Sequence, residues 1–388
     1  MKSSNRVKLA VRRVVARAFV LGPLTFLLVA GTGCPSLFES PTHRATRIKQ
    51  AEPGRDGDKT ITQVGEVVNG YATLAAGGDL DAGDTTITVA DVAALAPSPL
   101  PALDKGDLLL VIQMQGATID ATDTTAYGTV SSLGNAGRYE FVGVEGVAGN
   151  VITLACALKN SYTVAGKTQV LRVPQYGTLT INSGLSISAP AWNGTTGGVV
   201  AVHALTTVQL DGSIDVTGKG FRGGAVDTQS ANANTAVTGY RSAANTQGAE
   251  KGEGIAGSQT DYDNLNGRYG RGAPANGGGG GNSHNAGGGG GANAGNIANW
   301  GDGQGVMVSV TATPDPWRLD PGYIANSDAL TNCEGGGRGG YSFSNADQDP
   351  LQVAPGTCSG GTSWGGNCRR EVGGLGGRPL ASSPATRL

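Results

Sequence analysis

The chain has 388 residues with 28 Lys+Arg against 30 Asp+Glu, and 66 of its residues are glycine, about 17% where ~7% is usual. No Gly-X-Y period runs through those glycines, which excludes collagen. A net charge of −2 disfavours nucleic-acid binding, and 38% hydrophobic residues disfavour wholesale disorder.

Residues 1–33 read as an export signal. Lys2, Arg6, Lys8, Arg12, Arg13 and Arg17 form a positive leading region, followed by an apolar stretch from Ala18 to Gly33. That stretch is short for a membrane span and is interrupted by Gly22-Pro23. Cys34 follows it. The arrangement resembles a bacterial lipoprotein signal, although Gly31 stands where such signals usually carry leucine. The resemblance implies that Cys34 is lipidated and, with Pro35 next, that the chain goes to the outer membrane or cell surface of a Gram-negative bacterium. An ordinary secretory signal is the alternative. Removing 1–33 takes away six basic residues and no acidic one, leaving a net charge of −8.

Residues 34–78 are polar and are expected to form a tether. Residues 79–175 show short apolar runs between turn signals. Leu108–Met114 reads as a buried strand. Val151–Leu158 places Ile152, Leu154, Cys156 and Leu158 on one face at period two. The pattern predicts a small β-sandwich or barrel.

Residues 176–224 hold an internal repeat. Thr178-Leu-Thr-Ile-Asn aligns with Thr207-Val-Gln-Leu-Asp at an offset of 29, with a third strand expected at Gly197–Val202. Leu179, Ile181, Leu185 and Ile187, then Val208, Leu210, Ile214 and Val216, are the expected inward positions. The stretch resembles β-helical surface proteins of the filamentous-haemagglutinin type. A continuing sandwich is the rival reading.

Residues 225–388 are glycine-dominated, with five-glycine runs at 277–281 and 287–291. Glycine without side chains can form laterally packed threefold helices. The runs resemble the polyglycine sandwiches of some phage adhesins and of anaplastic-lymphoma-kinase-type receptors. Glu334–Ser344, Ser363–Gly366 and Arg369–Leu380 resemble glycine-rich, adhesin-like surface proteins. That resemblance implies an adhesive or structural role and no defined catalytic residues.

The expected fold is therefore mainly β: a sandwich or barrel, a β-helix-like or sandwich region, and a glycine-rich region that can adopt polyglycine-II packing. No catalytic residue, metal site or cofactor is expected. Cys358–Cys368 is the favoured disulfide, which leaves Cys333 to pair with Cys156; Cys333–Cys358 with two free thiols is the alternative. Tyr262, Tyr269, Tyr341 and Phe343 are candidate ligand contacts for sugar rings or another envelope protein.

Two motif matches fail on context. Gly361-Thr-Ser-Trp-Gly is not a nucleophile elbow, because His43, His203 and His284 all precede it. Gly252-Glu-Gly-Ile-Ala-Gly lacks the buried strand that a dinucleotide site requires. Asp211 with Asp215, and Asp261 with Asp263, are the carboxylate pairs a polysaccharide lyase or hydrolase would need. Such an enzyme, or a scaffold subunit of an envelope assembly, is the alternative to a non-catalytic surface protein.

Overall fold

The computed structural model describes residues 51–227, 239–244, 248–281, 287–293, 295–300, 335–337, 339 and 373–381. Their strands are β1 (Lys59–Thr60), β2 (Glu66–Val67), β3 (Gly70–Thr73), β4 (Thr86–Thr88), β5 (Leu108–Gln113), β6 (Thr118–Ile119) and β7 (Val130–Ser132). Then come β8 (Tyr139–Ala148), β9 (Val151–Leu154), β10 (Thr168–Val173), β11 (Gln175–Ile181), β12 (Ser186–Ser188), β13 (His203–Leu210) and β14 (Ser213–Ile214). One short helix, α1 (Gln259–Asp263), follows. The fold is mainly β.

Six antiparallel strands form one sheet in the order β3-β10-β5-β8-β9-β4. A bridge between Leu74 and Val89 joins its two edges, so the sheet curls around its own core. Leu109, Val111, Val142, Ile152 and Val170 fill that core. The alternate residues of β5, Leu108, Leu110 and Ile112, face the other way and pack with Leu171, Val173, Val199 and Ala201. A strand buried on both faces needs an unbroken apolar run, which is why Leu108–Ile112 does not alternate. β9 ends at Leu154, so Cys156 lies beyond the strand expected to carry it and is half-buried.

The remaining strands build two parallel stacks, β1-β11-β13 and β14-β12-β2. These are two sides of a short β-helix. Its rungs are β1–β2, β11–β12 and β13–β14. The repeat offset of 29 reappears in the ladder, with Thr178 opposite Thr207 and Ile181 opposite Leu210. The second side departs from it: Ile187 pairs with Ile214, an offset of 27. The corner after β13 is two residues shorter, and Gly212 makes that possible. A Cβ there would lie 2.3 Å from the Leu185 carbonyl oxygen and 2.5 Å from that of Asn182.

Three expectations need correction. Residues 59–73 are not tether, since β1 and β2 form the first rung and β3 belongs to the curled sheet. That sheet is inserted between the first and second rungs. Asp56 receives the returning chain: its carboxylate accepts from the Gln175 amide at 2.7 Å, and its own amide donates to the Gln175 carbonyl. Second, Gly197–Val202 carries no ladder strand, although Val199 and Ala201 rest on the sheet. Third, only part of the inward set is buried. Leu179, Ile181 and Ile187 are fully buried, whereas Val208, Leu210, Ile214 and Val216 are 40–53% exposed. No rung stacks on β13 and β14 among the described residues.

Candidate functional site

The glycine-rich segments are ordered against each other. Gly336 donates to Gly377 at 3.0 Å and Gly339 to Gly374 at 2.8 Å. Gly374 donates to Gly287 and Gly377 to Gly290, at 2.9 and 2.8 Å. Leu375 donates to Arg271 and Arg378 to Ala275, at 2.7 and 2.8 Å. Every third residue of 374–378 thus turns to the same neighbour. A β-strand would return to a neighbour at every second residue. A period of three belongs to an extended threefold helix, which makes no internal hydrogen bonds and must find lateral partners.

This packing requires glycine. A Cβ on Gly376 would sit 1.6 Å from the Gly336 oxygen, one on Gly339 1.8 Å from the Gly287 oxygen, and one on Gly278 1.9 Å from the Gly289 oxygen. Neighbouring backbones occupy the space of the missing side chains.

Lys251 fastens this bundle to the hairpin of β6 and β7, a separate two-stranded sheet. It is fully buried, and its Nζ donates to the carbonyls of Tyr240, Gly270 and Gly272 at 2.6, 2.9 and 2.8 Å. The Tyr127 ring lies 4.4 Å from the same nitrogen. Burial pushes the ammonium well below the ordinary lysine range, against the pull of Asp123. Tyr127, Tyr240, Ala273 and Leu375 form the small core at this junction. On the far side Arg378 stacks 4.2 Å over the Trp300 ring and donates to the Ala273 carbonyl at 2.9 Å. Trp300 Nε1 donates to Gly376. Sequence reading missed Lys251 and Arg378. Arg378 showed only as a lone charge among small residues, and Lys251, between Glu250 and Glu253, had the pattern of a solvated charge run.

A cavity of about 820 Å³ lies between Ile112 of the sheet, Val200, the segment around Arg222 and the glycine bundle. Its charged lining residues, among those described, are Arg222, Glu250 and Glu253. Each is already paired. Arg222 Nε meets Glu253 Oε2 at 3.0 Å, and Glu250 accepts from Arg268 at 3.0 Å. The cavity therefore offers no free charge for acid or base work.

The candidate carboxylates are committed locally. Asp211 accepts from Gln209 at 2.7 Å. The hydroxyl and amide of Thr217 hold the exposed Asp215 below the ordinary carboxylate range. Asp261 accepts from the Ser258 amide at the start of α1, and Asp263 accepts from Arg268 Nε, both at 2.8 Å. Tyr262 is fully buried and donates to the Gly257 carbonyl at 2.8 Å, which places it in the core rather than on a ligand surface. Tyr269 is half-buried and bridges to Ser242. Cys34, Cys333, Cys358, Cys368, Tyr341 and Phe343 lie outside the described residues. No helix among the described residues is long and apolar enough to cross a membrane.

No family model and no curated protein matches this chain. Three solved phage tailspikes are weakly similar. The tailspike of Acinetobacter baumannii bacteriophage AP22, solved with capsular saccharide, is 18% identical over 34% of this chain and 20% of its own, at a TM-score of 0.17. That of Pseudomonas phage phi297 is 17% identical over 35% and 22%, at 0.19. That of Pseudomonas phage LKA1 is 16% identical over 35% and 25%, at 0.17. The chain spans a quarter or less of the length of each. At these TM-scores the likeness adds nothing to the functional reading.

Proposed function

We propose that this is a lipid-anchored protein of the outer membrane or cell surface, with an adhesive or envelope-structural role and no catalysis. The observation that carries the reading is the glycine bundle. It is a base made of closely packed backbone, and described residues of it flank 301–334 and 340–372. Trp300 and Gly335, which flank residues 301–334, adjoin: a Cβ on Gly335 would lie 2.8 Å from the Trp300 ring. Gly339 is hydrogen-bonded to Gly374, so the described residues on either side of 340–372 also adjoin. Tyr341 and Phe343 belong to that second segment.

Such a base suits display. Ordering cost is met in the scaffold, which leaves recognition to residues set on it. The local commitment of Asp211, Asp215, Asp261 and Asp263 favours this role over a polysaccharide-cleaving one. The lipoprotein-type signal at Cys34 supplies the anchor.

The test is protease shaving of intact cells combined with palmitate labelling, for wild type and Cys34→Ala. Wild type is expected to be labelled and shaved, and the variant to lose both label and attachment. A wild type that is labelled but protected until cells are opened faces the periplasm, which removes adhesion and leaves a scaffold role. An unlabelled wild type removes the anchor.

A further inference from the structure

Among the described residues nothing stacks on the apolar face that ends the third rung of the β-helix. By register Val208 stacks on Leu179, Leu210 on Ile181, and Ile214 on Ile187. The lower residue of each pair is fully buried, and the upper one is 44%, 53% and 41% exposed. Among the described residues ten large hydrophobic side chains are exposed, and four of them lie on or just after the third rung: Val208, Leu210, Ile214 and Val216. Scattered apolar residues need no explanation, but a cluster on one end does.

The edge itself is undefended. Exposed strand edges are usually blunted by charge, proline or a bulge. β13 has no Lys, Arg, Asp, Glu or Pro. The ladder does shift register opposite Gly177, but Thr207–Leu210 runs regularly beyond that point. The opposite end of the stack is defended. Its strands are two residues long, and Lys59 and Glu66 form an ion pair across them. One end of the β-helix is built to stay in water and the other is not.

We propose that the third rung is a dimer interface, and that its occupant is the third rung of a second copy of this chain. Three features favour a copy over other occupants. β13 carries no Lys, Arg, Asp or Glu, so two copies of its edge meet without charge repulsion. A twofold axis through the sheet normal sets Thr207–Leu210 antiparallel to itself, pairing the outward N–H and C=O groups of both edges. The charged, short-stranded opposite end cannot receive a third rung, so contact closes at two subunits rather than growing into a filament. This inference does not depend on the proposed adhesive role.

The test uses the full chain in sedimentation velocity from low to high micromolar concentration. Wild type is expected at twice the monomer mass. The double variant Val208→Lys/Leu210→Lys is expected at monomer mass. Val64→Lys, at an exposed valine near the first rung, is expected to remain dimeric. A monomeric wild type overturns the proposal and assigns the face to another segment of the chain or to a different partner. A dimer that survives the double variant also overturns it. If the double variant does not fold, hydrogen exchange on wild type decides. Protection of the outward amides of 207–210 must rise with protein concentration, and protection independent of concentration refutes the dimer.

Discussion

Lys251 shows how one residue can hold a side-chain-poor region in place. Glycine segments offer only backbone N–H and C=O groups, so a group that fastens them through their carbonyls must donate several hydrogen bonds. An ammonium has three donors, and here all three are used, on Tyr240, Gly270 and Gly272. The alkyl stem and the Tyr127 face exclude water. Lys251→Met keeps much of the volume but leaves three carbonyls without their donor. Each buried orphan costs about 1–3 kcal/mol, so the variant is expected to lose at least about 2 kcal/mol in urea unfolding. A midpoint unchanged from wild type would show that the carbonyls are satisfied by water instead. Nothing in Gly-Ala-Glu-Lys-Gly-Glu announced this role. It depends on three carbonyls brought together from residues 240 to 272.

At the scale of elements, legibility followed the length of the local signal. β5 could be read because five apolar residues in a row have few alternatives. The β11–β13 pairing could be read because both strands alternate and share a corner. The first rung could not, since β1 and β2 supply two residues each and stand about 120 residues before their partners. The two-residue slip between the sides of the third rung was also invisible, because it is set by a steric fit at Gly212. The glycine runs announced themselves, but their partners at Arg271, Gly336 and Gly374 did not. The threefold packing makes a sharp distinction between glycines. Gly278→Ala drives a Cβ to 1.9 Å from a neighbouring carbonyl oxygen, whereas a Cβ on Gly337 meets nothing within 4 Å. Overpacking costs roughly 1–3 kcal/mol or more. Thermal unfolding is therefore expected to drop clearly for Gly278→Ala and stay near wild type for Gly337→Ala. Equal effects would mean that the bundle behaves as a flexible linker.

The whole molecule depends on a buried charge cluster where the inserted sheet meets the β-helix. Arg172, on β10, is fully buried. Its guanidinium reaches Asp107 at 2.9 Å and Asp56 at 3.6 Å, and it donates to the Pro101 carbonyl. Arg55 lies 3.3 Å from Asp107. These residues come from the lead into the first rung, from the turn before β5, and from the strand that returns the chain to the second rung. Burial pushes the Asp107 carboxyl up, against the pull of Arg172 and Arg55. An ion cluster of this kind adds little net stability, but losing one partner strands the others in a dry site. Arg172→Met keeps the packing volume and removes the charge that faces two carboxylates. The expected loss is roughly 3 kcal/mol or more. It should also change the form of unfolding. With the cluster intact, the sheet is tied to the β-helix between its first and second rungs, and the two unfold together in one calorimetric transition. Without it, the sheet keeps its own core of Leu109, Val111, Val142 and Ile152 while the short stack loses its footing. Two transitions are then expected, the lower one from the β-helix. A single transition at reduced temperature would instead mean that the apolar contact of Leu108, Leu110 and Ile112 with Val199 and Ala201 couples the two parts without help from the charges.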